Sequence, residues 1–186
     1  LKRAHFLQMN LFRPVFRSES FDLVICNGVL HHTSFPFEGF KAISKLVKKK
    51  GFILIGLYHK FGRIKTDVLR FIFNISQDHF KSLDLRLRNK NINEIKRDVW
   101  FRDQYKNPHE SKHTIKEVMG WFKDTGFQFV NNFPKTRIFG KFSEEERLFK
   151  PEPPVDLFVL YLVELTLMVT ASNNGGFFIT IGRRID

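Results

Sequence analysis

The stretch from residue 21 to residue 58 constrains the fold more than any other part of this 186-residue chain. Residues 21–26 (FDLVIC) form a short apolar run with branched side chains, the pattern of a strand buried on both faces. Asn27-Gly28 ends it. Pro36 then opens a helical stretch in which Phe37, Phe40, Ile43, Leu46 and Val47 recur at helical spacing. Lys48, Lys49 and Lys50 stand where a helix C-terminus favours cations, with Gly51 expected just past the helix end. Residues 52–57 (FILIGL) read as a second buried strand. Strand, helix and strand in so short a span predict a right-handed βαβ unit of a parallel sheet, and the fold class is α/β.

The rest of the chain supplies further elements. Residues 4–9 (AHFLQM) predict a short strand, followed by a loop with Pro14, Ser18 and Ser20. Residues 59–113 are charge-rich, with helices expected over 67–75 and 83–95 and an aromatic stretch at Trp100, Phe101 and Tyr105. Thr114 and Glu117 form a capping box that starts a helix running to Gly126. Residues 127–130 are a third strand candidate, and 134–154 a loop with an acidic spot at Glu144, Glu145 and Glu146. An apolar helix over 157–171 leads through Asn173-Asn174-Gly175-Gly176 into a last strand, 177–181, which that turn signal allows to lie antiparallel.

Residues 21–58 closely resemble the central segment of class I S-adenosylmethionine-dependent methyltransferases. In that family a fourth strand ends in a loop with a V-L-H-H signature, here Val29-Leu30-His31-His32. A glycine turn precedes strand five, here Lys48-Lys49-Lys50-Gly51, and residues 175–184 (GGFFITIGRR) look like the family's last strand. The resemblance implies a Rossmann-like sheet that binds ligands at its carboxyl edge. It places Asn10 and Leu11 near the adenine of S-adenosylmethionine and Asn27, Gly28 and Val29 beside its methionine part. Leu30, also assigned to the cofactor site, borders the methyl-transfer centre with His31 and His32, the two candidates for a general base. A cap inserted over residues 59–113, after strand five, is expected to hold the acceptor. Tyr58, Arg63, Trp100, Asp103, Gln104 and Tyr105 are its candidate substrate-facing residues.

The family's glycine-rich loop and the acidic residue that holds the ribose are not among these residues, for no G-x-G occurs in the chain. The expectation is one partial domain over residues 1–186, lacking the family's first two strands and belonging to a longer polypeptide. Alone, it is expected to bind S-adenosylmethionine weakly or not at all and to be inactive.

The charge balance raises an alternative. With 31 Lys and Arg against 19 Asp and Glu, the net charge is +12. Lys48, Lys49, Lys50, Arg86, Arg88, Lys90, Lys96, Arg97, Arg183 and Arg184 suggest a phosphate-binding surface on a non-catalytic module, for nucleic acid or protein. No RNA-recognition, KH or zinc-finger signature accompanies them. His109-Glu110-Ser111-Lys112-His113 matches the H-E-x-x-H zinc pattern, which needs both histidines on one helical face. Pro108 and the helix start at Thr114 place the motif outside a helix, so no metal site is expected. A single cysteine, Cys26, and the absence of a signal-peptide pattern point to a reducing, cytoplasmic setting. The apolar helix contains Glu164 and is too short for a membrane span.

Overall fold

The computed structural model describes residues 4–88, 93–137, 140, 147–170 and 176–185. Strands β1 (Phe21–Asn27), β2 (Val47–Tyr58), β3 (Phe127–Phe133) and β4 (Phe177–Arg184) form one sheet in the order β1-β2-β4-β3. β1 and β2 are parallel and joined through helix α1 (Pro36–Ser44), whereas β4 runs antiparallel to both its neighbours. Ile53, Ile55 and Leu57 of β2 alternate into one core with Phe40 and Ile43 of α1 and Trp121 and Phe122 of α5 (Ile115–Asp124). Period-two burial of branched residues against helices is what the sequence pattern of these strands dictates.

Between β2 and α5 lie α2 (Ile64–Ile75), α3 (Leu85–Arg88) and α4 (Glu94–Tyr105). They carry a separate small cluster, Phe73, Phe101 and Tyr105. One expectation changes here. The helix expected over 83–95 is replaced by a 3₁₀ turn at Lys81–Leu83, the single turn of α3, and α4. Asp84 interrupts it, because its carboxylate accepts from the Arg86 amide at 2.8 Å and from the Tyr105 hydroxyl at 2.7 Å. Asn93 then caps α4, its side chain accepting from the Ile95 amide.

The lysines do not end a helix. α1 stops at Ser44, and Val47 already pairs with Phe21 while Leu23 pairs with Phe52, so residues 48–51 bulge from β2. Lys48 reaches Asp22 at 3.0 Å, and Lys50 takes a φ of 63° to turn the bulge. Residues 4–9 form no strand. They are exposed and pair with no strand among the described residues, and an extended segment becomes a strand only when a neighbour takes its backbone hydrogen bonds.

Thr114 caps α5 by accepting from the Glu117 amide at 3.1 Å. Glu117 itself turns to the His113 imidazole at 2.8 Å instead of returning to the cap. β3 extends the expected strand to Phe133. The acidic spot at Glu144, Glu145 and Glu146, Lys90, and the turn at 173–175 lie outside the described residues.

Helix α6 (Leu157–Thr170) buries one stripe, Leu160, Val163, Glu164 and Leu167, and leaves Phe158, Tyr161 and Val169 exposed. No helix among the described residues is long and apolar enough to cross a membrane. The charge that breaks its apolar run is on the inner stripe for a reason. The Glu164 carboxylate accepts from the Ile115 amide at 2.6 Å and the Lys116 amide at 3.2 Å, at the positive N-terminus of α5. His59 completes the arrangement. Its Nδ1 accepts from the Phe61 and Gly62 amides, so Nε2 carries the proton and donates to Glu164 at 3.4 Å. Replacing Glu164 by alanine leaves two buried donors, the Ile115 amide and His59 Nε2, and the partly buried Lys116 amide unpaired, and is expected to cost about 3 kcal/mol in urea unfolding. Gln, which keeps an acceptor oxygen, is expected to cost less than half of that; a cost below about 1 kcal/mol for Ala would remove α6 as the clamp on α5.

Candidate active site

The carboxyl ends of β1 and β2 lie side by side, Asn27 paired with Gly56. A side chain at position 56 would collide with the Asn27 amide, so glycine is what lets Asn27 lie across the sheet edge. Gly28 follows with a φ of +75°, a conformation that non-glycine residues rarely adopt. Its amide donates to the Gly56 carbonyl at 3.0 Å, which fixes the turn. Asn27 and Val29 are exposed there.

The other residues expected around the cofactor are gathered nearby, but not all face outward. Leu30 is fully buried in the core. Its side chain and that of Leu11 both abut the open face of Gly39 in α1. Asn10 is exposed and uses its side-chain oxygen on the Phe12 amide at 2.9 Å, closing the turn that carries Leu11.

His31 and His32 form a 3₁₀ turn after Val29. They part in environment. The His31 ring is buried, 4.1 Å from the His32 ring and 4.3 Å from the Tyr58 ring, and its Nδ1 has no hydrogen-bond partner. Burial, reinforced by the neighbouring His32 and Arg63, pulls its pKa down to about 3, so the imidazole is neutral at physiological pH. His32 is half-buried. Its Nδ1 lies 3.2 Å from the His109 carbonyl and 3.0 Å from the Asn107 amide, contacts that require opposite proton positions.

The H-E-x-x-H segment is a strap rather than a helix. The Ser111 amide donates to the His31 carbonyl at 2.8 Å, the His113 amide to the Tyr58 carbonyl at 2.9 Å, and His109 Nε2 to the Thr33 carbonyl at 2.9 Å. These bonds tie the histidine turn to the end of β2. Glu110 points inward and is almost wholly buried, held by Arg63 at 2.6 and 3.1 Å and by Arg70 at 3.1 Å. Its engagement with two guanidiniums gives the central glutamate of the motif a role that needs no metal.

Among the residues expected to face substrate, Arg63 is fully buried, its guanidinium 3.8 Å from the centre of the Tyr58 ring and bonded to the Gln104 side-chain oxygen. The Gln104 amide nitrogen donates to the Tyr58 oxygen at 3.0 Å and to Asp103 at 2.8 Å. Asp103 is exposed; Tyr105 is buried and bonded to Asp84. Tyr58, Trp100 and Gln104 line an open cleft of about 540 Å³ with Arg86, Phe133, Phe177 and Ile179. Glu110, Arg70, Asn107 and Ser111 are the parts that sequence reasoning missed. The H-E-x-x-H match is the sequence signal that singles out Glu110, though it says nothing of Arg63 or Arg70.

The basic residues are divided. Lys48, Arg183 and Arg184 stand at the opposite sheet edge, where Arg184 donates to the Val47 carbonyl and pairs with Glu19. Arg86, Arg88, Lys96 and Arg97 belong to the helices after β2.

Residues 1–55 match a family model described as a methyltransferase domain. Over nearly the whole chain, 96 %, the structure superposes on that of PKMT2 from Rickettsia typhi in complex with AdoHcy, with a TM-score of 0.59 and 11 % identity. The fold is that of the class I methyltransferases. The putative methyltransferase and Trm112 activator complex of Haloferax volcanii gives a TM-score of 0.51 at 11 % identity over 97 % of this chain. An uncharacterized Synechococcus protein is 25 % identical over 74 % of the chain. The chain spans 39 % of that relative's length, 38 % of the Rickettsia chain and 62 % of the Haloferax one. The family match covers β1, α1 and most of β2, the segment whose residues carry the resemblance in the sequence.

A consequence for stability follows from His31. The unfolded chain takes up a proton near pH 6.5 that the folded chain refuses until about pH 3. Stability tied to this site is therefore complete above pH 6.5 and falls as pH drops through that window. Replacing His31 by Phe is expected to flatten the loss between pH 6.5 and 4 in urea unfolding; an unchanged slope would place the acid sensitivity elsewhere. Gly56→Ala is expected to cost about 1–3 kcal/mol by displacing Asn27, and a neutral result would mean that Asn27 is not held across the edge.

Proposed function

We propose that this chain carries the acceptor side of an S-adenosylmethionine-dependent methyltransferase domain, with the cofactor at the Asn27-Gly28-Val29 turn and a methyl acceptor in the cleft beyond Tyr58. The observation that supports it is the left-handed Gly28 turn, open at the carboxyl edge of the matched segment and adjoining the His31–Tyr58 contact that borders the cleft. A glycine there allows backbone to approach a ligand closely, and exposed Asn27 and Val29 offer an amide and an apolar surface.

Bound there, S-adenosylmethionine would supply an activated methyl group on a sulfonium. An acceptor lone pair would displace the thioether from that carbon, and the acceptor's proton would need a base in this chain. What the protein adds is alignment and exclusion of water. His31 is not suited to take the acceptor's proton, because it is buried and neutral with a strongly lowered affinity for protons. His32 is the better candidate. When its Nδ1 donates to the His109 carbonyl, Nε2 presents the lone pair a base requires; the Asn107 amide contact holds the opposite tautomer. The helices over residues 59–113 act as the cap, with Trp100 and Gln104 on its inner wall. Arg63, Tyr105 and Leu30 serve as supports of that site, through Gln104, Asp84 and the core, and not as ligand contacts.

Because no G-x-G occurs in these residues, the affinity expected of this chain for S-adenosylhomocysteine is weak. Amide NMR reads weak binding residue by residue. Titration into the millimolar range is expected to shift the amides of Asn27, Gly28 and Val29, then Asn10 and Leu11, and to leave β3 unmoved. Shifts scattered over the surface, or none, would overturn the cofactor assignment.

A further inference from the structure

The cleft beyond Tyr58 has an unusual inventory. Its walls are Tyr58, Trp100, Phe133, Phe177 and Ile179, and its volume of about 540 Å³ suits a ligand of one or two fused rings. Flat aromatic walls favour a flat partner through area and stacking. Among the described residues, Gln104 and Arg86 complete its lining, and their hydrogen-bonding capacity is decided by what lies behind them.

Gln104 is committed. An arginine has only donors to offer, so the atom facing the Arg63 guanidinium must be the amide oxygen and the NH₂ must face the other way. Both of its N–H groups are then used, one on the Tyr58 oxygen and one on Asp103. Tyr58 consequently accepts through its oxygen, and its own proton has no acceptor among the described residues. Burial raises the Tyr58 pKa, which keeps that proton in place at neutral pH.

Arg86 stacks over Trp100, 5.3 Å from the ring centre, and makes no ion pair among the described residues. The carboxylates of the adjoining network are already engaged. Asp84 serves the Arg86 backbone amide and the Tyr105 hydroxyl, Asp103 receives from Gln104, and Glu110 is enclosed by Arg63 and Arg70. Among the described residues, the cleft thus presents one free O–H donor, on Tyr58, and one cation without an ion pair, Arg86, between aromatic walls.

We infer that the cleft recognises a planar aromatic carboxylate, with its ring against Trp100 and Phe177, the Tyr58 hydroxyl donating to it and Arg86 neutralising its charge. The inference deepens the acceptor-site reading given above and names the class of acceptor. The binding itself needs no cofactor, so it is open to a separate test.

The chain has two tryptophans, Trp100 at the cleft and Trp121 buried in the core, and each gives one indole N–H signal in NMR. Titration with 2-naphthoate is expected to shift the Trp100 signal saturably and leave Trp121 in place. The neutral 2-naphthamide is expected to bind at least about fivefold more weakly. Arg86→Gln, a change at an exposed position, should remove that preference for the carboxylate. Tyr58→Phe should weaken both ligands by about fivefold, the effect of one hydrogen bond, with an unmoved Trp121 signal reporting an intact core. No shift at Trp100, equal affinity for the two ligands, or unaltered affinity in both variants would overturn the inference. Naphthoate binding together with absent S-adenosylhomocysteine shifts would instead sink the methyl-transfer reading and leave this recognition standing.

Discussion

The Arg63 guanidinium is fully buried, yet it holds together parts of the chain that are far apart in sequence. Removing such a charge from water costs several kcal/mol unless every donor finds a partner. Here it meets the Glu110 carboxylate with two of its nitrogens, the Gln104 side-chain oxygen with a third, and the face of Tyr58 with its plane. Arg63 immediately precedes α2, Gln104 is on α4, Glu110 is on the strap and Tyr58 ends β2. One side chain thereby fixes the helical cap over the sheet edge. It also fixes Gln104 in the orientation that leaves the Tyr58 proton free, and thus sets the chemistry of the cleft from behind its wall.

A buried acid, Glu164, plays the same part in the adjoining network. Glu164 satisfies the first turn of α5 and the His59 ring at once, so α6, α5 and the end of β2 share a single acceptor. His59 precedes Arg63 by one helical turn, and the Arg63 amide donates to its carbonyl at 3.0 Å. The two networks are therefore adjacent along the backbone, and the segment after β2 is their hinge point.

The local pattern made the sheet legible. Apolar runs at 21–26 and 52–57 mark two strands and the Thr114 cap marks its helix, because each signal is carried by neighbouring residues; β1, however, lies at the sheet edge with Leu23 and Ile25 exposed rather than buried on both faces. The resemblance in residues 21–58 likewise located Asn27, Gly28 and Val29 at the sheet edge. What escaped the sequence depends on distant partners. Three lysines before a glycine look like a helix end until Val47 is seen to pair with Phe21 and force a bulge. Glu110 has no assigned role in the sequence until Arg63 and Arg70 are seen to enclose it, and the adjacent histidines read alike until burial separates His31 from His32. Arg63 itself was noticed for its position, but its side chain turns to the protein interior because Glu110, 47 residues away, is there to receive it.

The most direct test of this account replaces Arg63 by Gln and follows the two tryptophans separately, using fluorine-labelled tryptophan and NMR through a urea titration. Trp100 packs against the cap cluster of Phe73, Phe101 and Tyr105, whereas Trp121 belongs to the sheet core. With the guanidinium gone, the Trp100 signal should lose its native position at clearly lower urea than Trp121, whose midpoint should move little. Two signals that still unfold together at the midpoint of the unaltered chain would contradict the claim that Arg63 holds the cap to the sheet.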